Sequence, residues 1–440
     1  MTEGSPVRLL LIFSLPMLIG NLFQQVYNLV DSVIVGQFIG AQALAAVGTT
    51  GSMCFLFFAL CNGIGTGGGI ITAQFFGSGD TRQVKSCISN TGYIMLFFPI
   101  LVGIVAFLLA GPLLRLLNTP ANIYADSFSY YRIMCVGLLF VSIYNYASSM
   151  LRALGDSKSP LYFLILSSLL NVGLDLLFVC VFHMGVNGAG YATIISQFVA
   201  GFLCILYAIR RNPYFKLTRE DFRFQKELVL KIVKLGVPLS LQFSLIAISS
   251  MALQRVVNSF GAVATAAFTT TSRIEQLIHQ PYTSLSSALS TYTGQNYGAN
   301  RNKRVVEGYR KSILLMAIFS LVMLPFMQLF GRSFNALFVA DPEVIEMGAT
   351  ALRITSLFYI LLGMIYVVRG VLSGIGDSFF ALFNGIVEVI GRFTIPVILT
   401  AIPFIGIWGI WWSVGVVWAI SGFTAWLRYI SYSKKAIPIN

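Results

Sequence analysis

Apolar residues in this chain run in long uninterrupted stretches, with polar residues gathered between the stretches instead of alternating within them. MLFFPILVGIVAFLLAGPLL, residues 95–114, is typical. Such a run meets the roughly 20 residues that a spanning helix needs and lacks the two-residue period of a barrel strand. Twelve runs of this kind are predicted, at 8–37, 44–76, 84–112, 122–152, 158–182, 187–211, 225–259, 264–297, 304–337, 343–374, 378–402 and 407–434. In lipid the backbone must satisfy its own hydrogen bonds, so these runs are helices. The fold class expected is therefore an all-α membrane protein. The first run continues past Asp31 without a cleavage site and reads as a transmembrane helix, not a signal peptide.

The most polar stretch, RRNPYFKLTREDFRFQKE at 210–227, lies near the middle, with six runs on either side. Sliding one half over the other at an offset of 221 residues aligns TAQFFGSGDTRQV (72–84) with TGQNYGANRNKRV (293–305). The same offset aligns Arg132-Ile133 with Arg353-Ile354, and Gly155-Asp156-Ser157 with Gly376-Asp377-Ser378. It also aligns GAQALAA (40–46) with GAVATAA (261–267), and GVNG (185–188) with GIWG (406–409). Matches at one constant offset point to tandem duplication. An even number of spans per half gives both halves one orientation, with a pseudo-two-fold axis along the membrane normal. The expected organisation is an N-lobe at 1–211, a cytoplasmic linker at 212–224 and a C-lobe at 225–440. Two such lobes make a cleft suited to a transporter, although channels are also built from repeats.

Composition agrees with lipid as the solvent: 57% of residues are hydrophobic, 10% are charged, and mean hydropathy is +0.81. The net charge of +13 would suit a nucleic-acid partner, but its placement argues against one. Only Arg115 and Arg332 fall in outward loops or at outward span ends and six basic residues lie well within spans, which leaves 21 of the 29 Lys and Arg in inward loops, tails and span ends. That asymmetry sets both termini in the cytoplasm. Cys54, Cys61, Cys87, Cys135, Cys180 and Cys204 form no CxxC pair and have no nearby His, so they read as packing residues.

Four acids lie deep in predicted spans: Asp31, Asp175, Glu275 and Glu388. A charge at that depth costs about 2.5–3.5 kcal/mol on insertion scales, so each needs a reason. In LLNVGLDLLF, Asn171 precedes Asp175 by four residues, and both point along one helix face. If that face meets Asp31, two carboxylates and an amide converge in a low-dielectric pocket. Such a pair holds a proton or binds a cation between hard oxygen ligands. The alternative is that the acids pair with Arg132, the only Arg deep in this half, or cap a broken helix.

The second half departs from this pattern. At the repeat offset, Arg392 lies over Asn171 and Pro396 over Asp175. Glu388 and Arg392, four residues apart, form an expected self-neutralising pair. Glu275 either lines the substrate cleft, where it suits a cationic ligand, or pairs with Arg255, Arg273 or Arg353. Pro16 and Pro238 sit near the start of the first helix of each half, as hinges or static kinks. Aromatic residues are expected mainly at lipid-facing positions, some of them as cation–π surface for an organic cation. His183 and His279 read as packing or interface residues.

These residues together resemble the multidrug and toxic compound extrusion (MATE) family, in its bacterial DinF-like and Firmicute branch. The resemblance spans almost the whole chain. It rests on LPMLIGNLFQQVYNLVDSVIVG near the start, AQ-x-x-G at 73–77 with its echo at 294–298, and YYRI at 130–133. MLRALGDS at 150–157, N-x-x-x-D at 171–175 and GVNGAGYAT at 185–193 complete it. It implies twelve helices in two six-helix lobes and antiport of amphipathic, often cationic, compounds against H⁺ or Na⁺. It implies a cation-coupling site, for a proton or Na⁺, at Asp31, Asn171, Asp175 and Thr193. Tyr27 and Tyr130 would join its hydrogen-bond network, and Pro16 would be the point where the first helix bends. The seventh-helix acid of some members has no match in SSMALQRVVN.

The function expected is thus a secondary antiporter in a bacterial plasma membrane. It needs no cofactor, exchanges an organic small molecule for an ion, contacts only membrane lipid otherwise, and works as a monomer. A lipid-linked oligosaccharide flippase of the same superfamily is the alternative, opposed by twelve spans and an acidic N-lobe. A membrane prenyltransferase or acyltransferase lacks its motifs here: there is no paired-Asp diphosphate site, His-Asp dyad or serine elbow.

Overall fold

The computed structural model describes residues 1–436, and the last four residues of the expected C-lobe, with the C-terminus itself, lie outside them. The first half holds α1 (Pro6–Ile34), α2 (Ala41–Ser78), α3 (Thr81–Leu108), the short α4 (Ala110–Leu116), α5 (Ala121–Ala153), α6 (Lys158–Asp175) and α7 (Gly185–Arg211). The second holds α8 (Lys226–Asn258), α9 (Ala262–Gly298), α10 (Asn302–Ala336), α11 (Pro342–Ser356), α12 (Tyr359–Ile375), α13 (Ser378–Thr400) and α14 (Gly409–Ala436). Among the described residues ten helices are long and apolar enough to cross a membrane. Helices α11 and α12, bent by 54° at their junction, make one further broken span where the sequence suggested a continuous one. The remaining expected span is α9, a 37-residue helix whose TTTSRIEQLIHQPYTSLSS stretch is too polar to pass on composition.

The duplication reappears in the backbone. Left-handed or similarly positive φ angles recur at the repeat offset: Gly40 and Gly261 (119° and 91°), Gly79 and Asn300 (77° and 57°), Gly155 and Gly376 (92° and 96°), Gly185 and Gly406 (60° and 51°). The turn after Gly155 and that after Gly376 are also built alike. Asp156 accepts from the Ser159 N–H at 3.0 Å, and Asp377 from the Phe380 N–H at 3.3 Å, each satisfying an orphan donor of the following helix. One difference between the halves stands out: α1 and α6 each run into a π-helical turn, Val35–Ile39 and Leu176–Val181. The corresponding helices α8 and α13 do not.

The chain divides into two compact units. One comprises Leu15–Ser244, the other Met1–Ser14 with everything from Leu245 onward. The divisions fall inside α1 and α8 and not in the 212–224 linker, for physical reasons visible within each unit. In the first, the GIGTGGG run of α2 admits α8 closely: a Cβ on Gly67 would sit 2.8 Å from the Gly236 Cα. Small residues at such contacts let helices approach where lipid supplies no hydrophobic drive. The linker is tied to α3 as well. Asn90, fully buried, accepts from the Gln225 N–H at 2.9 Å and donates to the Arg223 carbonyl at 3.1 Å, while the Tyr93 hydroxyl donates to the Phe222 carbonyl. In the second unit, Arg301 and Arg304 donate to the Thr2 and Gly4 carbonyls at 2.7 and 3.0 Å, so the chain start is held by the beginning of α10.

Side chains on the outer surface are what lipid requires. Phe97, Leu101, Leu108, Leu169, Leu329 and Phe379 are exposed large apolar residues on spanning helices. The six cysteines are all free, and five of them are buried.

Candidate functional site

Within the first unit, α1 brings Tyr27 and Asp31, one turn apart, towards α6, which brings Asn171 and Asp175. The Asp31 and Asp175 carboxyl groups lie within hydrogen-bond reach of each other. Asp175 is 0% and Asn171 2% exposed. From α7, Thr193 completes the group: Asn171 Nδ2 reaches its Oγ1 at 3.5 Å, and that hydroxyl donates to the Ala189 carbonyl at 3.0 Å. With its amide nitrogen turned to Thr193, Asn171 leaves Oδ1 without a partner. Asp31 Oδ1 and both Asp175 oxygens are likewise buried and unpartnered.

Tyr130 of α5, 7% exposed, sits close enough to both carboxyl groups to feel their charge, as does Tyr27, whose hydroxyl interacts with the Gln24 side chain. Sequence reading passed over Gln24, although its spacing of three residues from Tyr27 places both on one face of α1. Ile34, Val35, Met53, Tyr131, Met134 and Val179 pack beside the group as part of one apolar cluster. The site is therefore a cluster of side-chain oxygens set in an apolar wall.

No basic side chain neutralises it. Among the described residues neither Asp31 nor Asp175 takes part in an ion pair. Arg132, the one basic candidate, stacks its guanidinium 3.7 Å from the centre of the Phe107 ring and 5.1 Å from that of Phe128. Two unit charges about 4 Å apart repel by roughly 4 kcal/mol at an effective dielectric near 20. Two carboxyl groups so placed are suited to share a proton or to bind a cation. The donors present fit Na⁺, a hard ion taking carboxylate, amide and hydroxyl oxygens. Each acid also stands immediately before or within one turn of a π-helical segment, a distortion common at functional sites. Pro16 lies inside α1, two residues beyond the division between the units.

In the second unit the expected pairing of Glu388 with Arg392 is corrected. Arg369 of α12 donates from Nη2 to Glu388 Oε1 at 2.6 Å, and from Nε and Nη2 to Asn384 Oδ1 at 2.8 and 2.6 Å. A guanidinium arriving from a neighbouring helix can engage both acceptors with its fixed fork, which a side chain one turn away on the same helix cannot match. Arg392 instead donates from Nη1 to Ser250 Oγ of α8 at 3.1 Å. Glu275 makes no ion pair with Arg255, Arg273 or Arg353 among the described residues; it lies near Thr355 and Arg392 with Oε1 buried and unpartnered. Arg353 exchanges hydrogen bonds with Gln328. His279 packs its ring against Tyr366 and Trp418.

Comparison with known proteins places this geometry in a family. The MatE family profile matches residues 16–177 and 238–398, one segment in each half. The chain is 30% identical over 440 residues to the "Probable multidrug resistance protein YpnP" of Bacillus subtilis (strain 168), covering 100% of this chain and 98% of that protein. It is 23% identical over 433 residues to the "Multidrug export protein MepA" of Staphylococcus haemolyticus (strain JCSC1435), covering 98% and 95%. A crystal structure of "MATE in complex with MaL6" superposes with a TM-score of 0.93 at 25% identity, over 99% of this chain and 98% of that one. The duplicated helical scaffold, the buried acids and these full-length likenesses together establish that the chain belongs to the MatE family, as a multi-pass membrane transporter of small molecules and not an enzyme.

Proposed function

We propose that this protein is a multidrug exporter of a bacterial plasma membrane that moves amphipathic compounds, organic cations among them, outward in exchange for H⁺ or Na⁺. The observation that carries the reading is the pair of a half-buried Asp31 and a fully buried Asp175, within hydrogen-bond reach of each other and with no basic partner among the described residues. Asp31, Asn171, Asp175 and Thr193 take the coupling ion, and Tyr27 and Tyr130 border it. Ion binding at the outward-facing state changes the charge of the pocket and favours release of drug. Coupling requires that the two states bind the ion with different affinity. One elementary charge moving down 100 mV supplies about 2.3 kcal/mol, a concentration ratio near fifty. Pro16 serves as the flexing point of α1. The full-length relatives named for multidrug resistance and export support this reading over a lipid-linked oligosaccharide flippase.

Everted vesicles with independently imposed proton and sodium gradients test it. Ethidium uptake driven by one of the two gradients is expected in the wild type, and Asp31→Asn or Asp175→Asn should lower it at least tenfold at unchanged expression. Full transport by Asp31→Asn would overturn the site assignment.

A further inference from the structure

The two halves of the duplicated scaffold differ in charge at equivalent places. At the repeat offset, Ala252 of α8 replaces Asp31 of α1, Arg392 of α13 replaces Asn171 of α6, and Pro396 replaces Asp175. Three residues beyond Ala252, Arg255 stands where α1 has Ile34. Ser250, Gln254 and Asn258 stand where α1 has Leu29, Val33 and Gln37, so this face of α8 is polar where that of α1 is largely apolar.

That face lines a cavity of about 470 Å³ with Ser250, Gln254, Arg255 and Asn258, all within the second unit. At its edge Arg392 Nη1 donates to Ser250 Oγ, while Arg392 Nε is buried without a partner. Gln254 Nε2 donates to Asn258 Oδ1 at 2.8 Å, which orients both amides. Among the described residues the lining contains guanidinium, amide and hydroxyl groups, but neither a carboxylate nor an aromatic face that would favour a cation.

The charge balance points the same way. Among the described residues neither Arg255 nor Arg392 joins an ion pair. Glu275 is within electrostatic reach of Arg392, and Glu388 is already bound by Arg369. Arg255 stands exposed in the last turn of α8, where its guanidinium is free to meet a ligand. Guanidinium groups beside amide donors are the usual recognition chemistry for carboxylate and phosphate.

We propose that the α8–α13 face is an anion-binding subsite, with Arg255 and Arg392 engaging a carboxylate or phosphate group attached to an amphipathic body. The subsite deepens the transport reading above and rests on it: it extends the cargo to zwitterionic and anionic amphiphiles. The anionic group belongs either to a soluble substrate or to a lipid headgroup.

Two xanthene dyes of opposite charge, carboxyfluorescein and rhodamine 6G, test the subsite by fluorescence polarisation on the full-length protein in phosphatidylcholine nanodiscs. Arg255→Gln and Arg392→Gln should each weaken carboxyfluorescein about tenfold and rhodamine 6G far less. Arg255→Lys and Arg392→Lys keep the charge, guard against misfolding, and should lose less affinity than the glutamine variants. Adding phosphatidylglycerol to the nanodiscs separates the sources: competition identifies a lipid headgroup, and undiminished dye binding a soluble anion. Equal weakening of both dyes by the glutamine variants, or no carboxyfluorescein binding by the wild type, overturns the subsite. Absence of rhodamine 6G efflux from wild-type cells would instead count against the transport reading.

Discussion

Asp31 and Asp175 were legible from sequence because a charge inside an apolar run is conspicuous whatever surrounds it. Tyr27 entered only through the family resemblance, whereas Asn171, four residues before Asp175, followed from helical periodicity. Partners from other helices did not. Glu388 has an arginine one turn away at Arg392, and periodicity favoured it, yet its carboxylate is bound by Arg369, nineteen residues earlier on α12. Which helices face each other is a property of packing that spacing along one helix does not encode. The Arg369–Glu388 pair is nearly buried, with side chains 11% and 6% exposed. Removing one member should therefore cost more than removing both. Glu388→Gln is expected to destabilise by about 3–5 kcal/mol, and Arg369→Met combined with Glu388→Leu to recover much of that loss. Thermal unfolding in detergent would read both, and equal melting temperatures for single and double variants would contradict the assignment.

Helices were the most readable elements, since lipid leaves the backbone few alternatives and glycine-centred turns repeat at one offset. The irregular parts were less so. A π-helical turn has no residue signature, so Val35–Ile39 and Leu176–Val181 were invisible until the backbone was seen. The break between α11 and α12 was likewise hidden inside a continuous apolar run. Glycines of α2 illustrate how packing gives the same residue type different meanings. A methyl group on Gly67 would meet the backbone of Gly236, which has no flexible atoms to move aside, whereas one on Gly48 would find nothing within 4 Å. Gly67→Ala should lose about 1–3 kcal/mol through overpacking. Gly48→Ala should be neutral or gain up to about 1 kcal/mol, because glycine is the weaker helix former. A melting-temperature comparison of the two variants distinguishes these outcomes, and an unaffected Gly67→Ala would place α8 elsewhere.

At the scale of the whole molecule, the duplication was readable but the division into units was not. The sequence suggests a cut at its most polar stretch, while the compact units divide inside α1 and α8, because tight contacts and hydrogen bonds tie the polar linker to the helices beside it. The asymmetry of basic residues sets an orientation that chemical labelling can check, helped by native cysteines that are buried or half-buried. Arg219→Cys in the linker should react with an impermeant maleimide only in everted vesicles, and Leu337→Cys, after α10, only in right-side-out ones. The reverse result would invert the topology. The unpartnered oxygens around Asp31 and Asp175 also bear on how tightly the proposed exchange is geared. Under that proposal the cluster without a positive occupant is tolerable only while water reaches it, and an unloaded carrier should stall at one face of the membrane. A pump that cannot turn over empty does not drain the gradient that powers it.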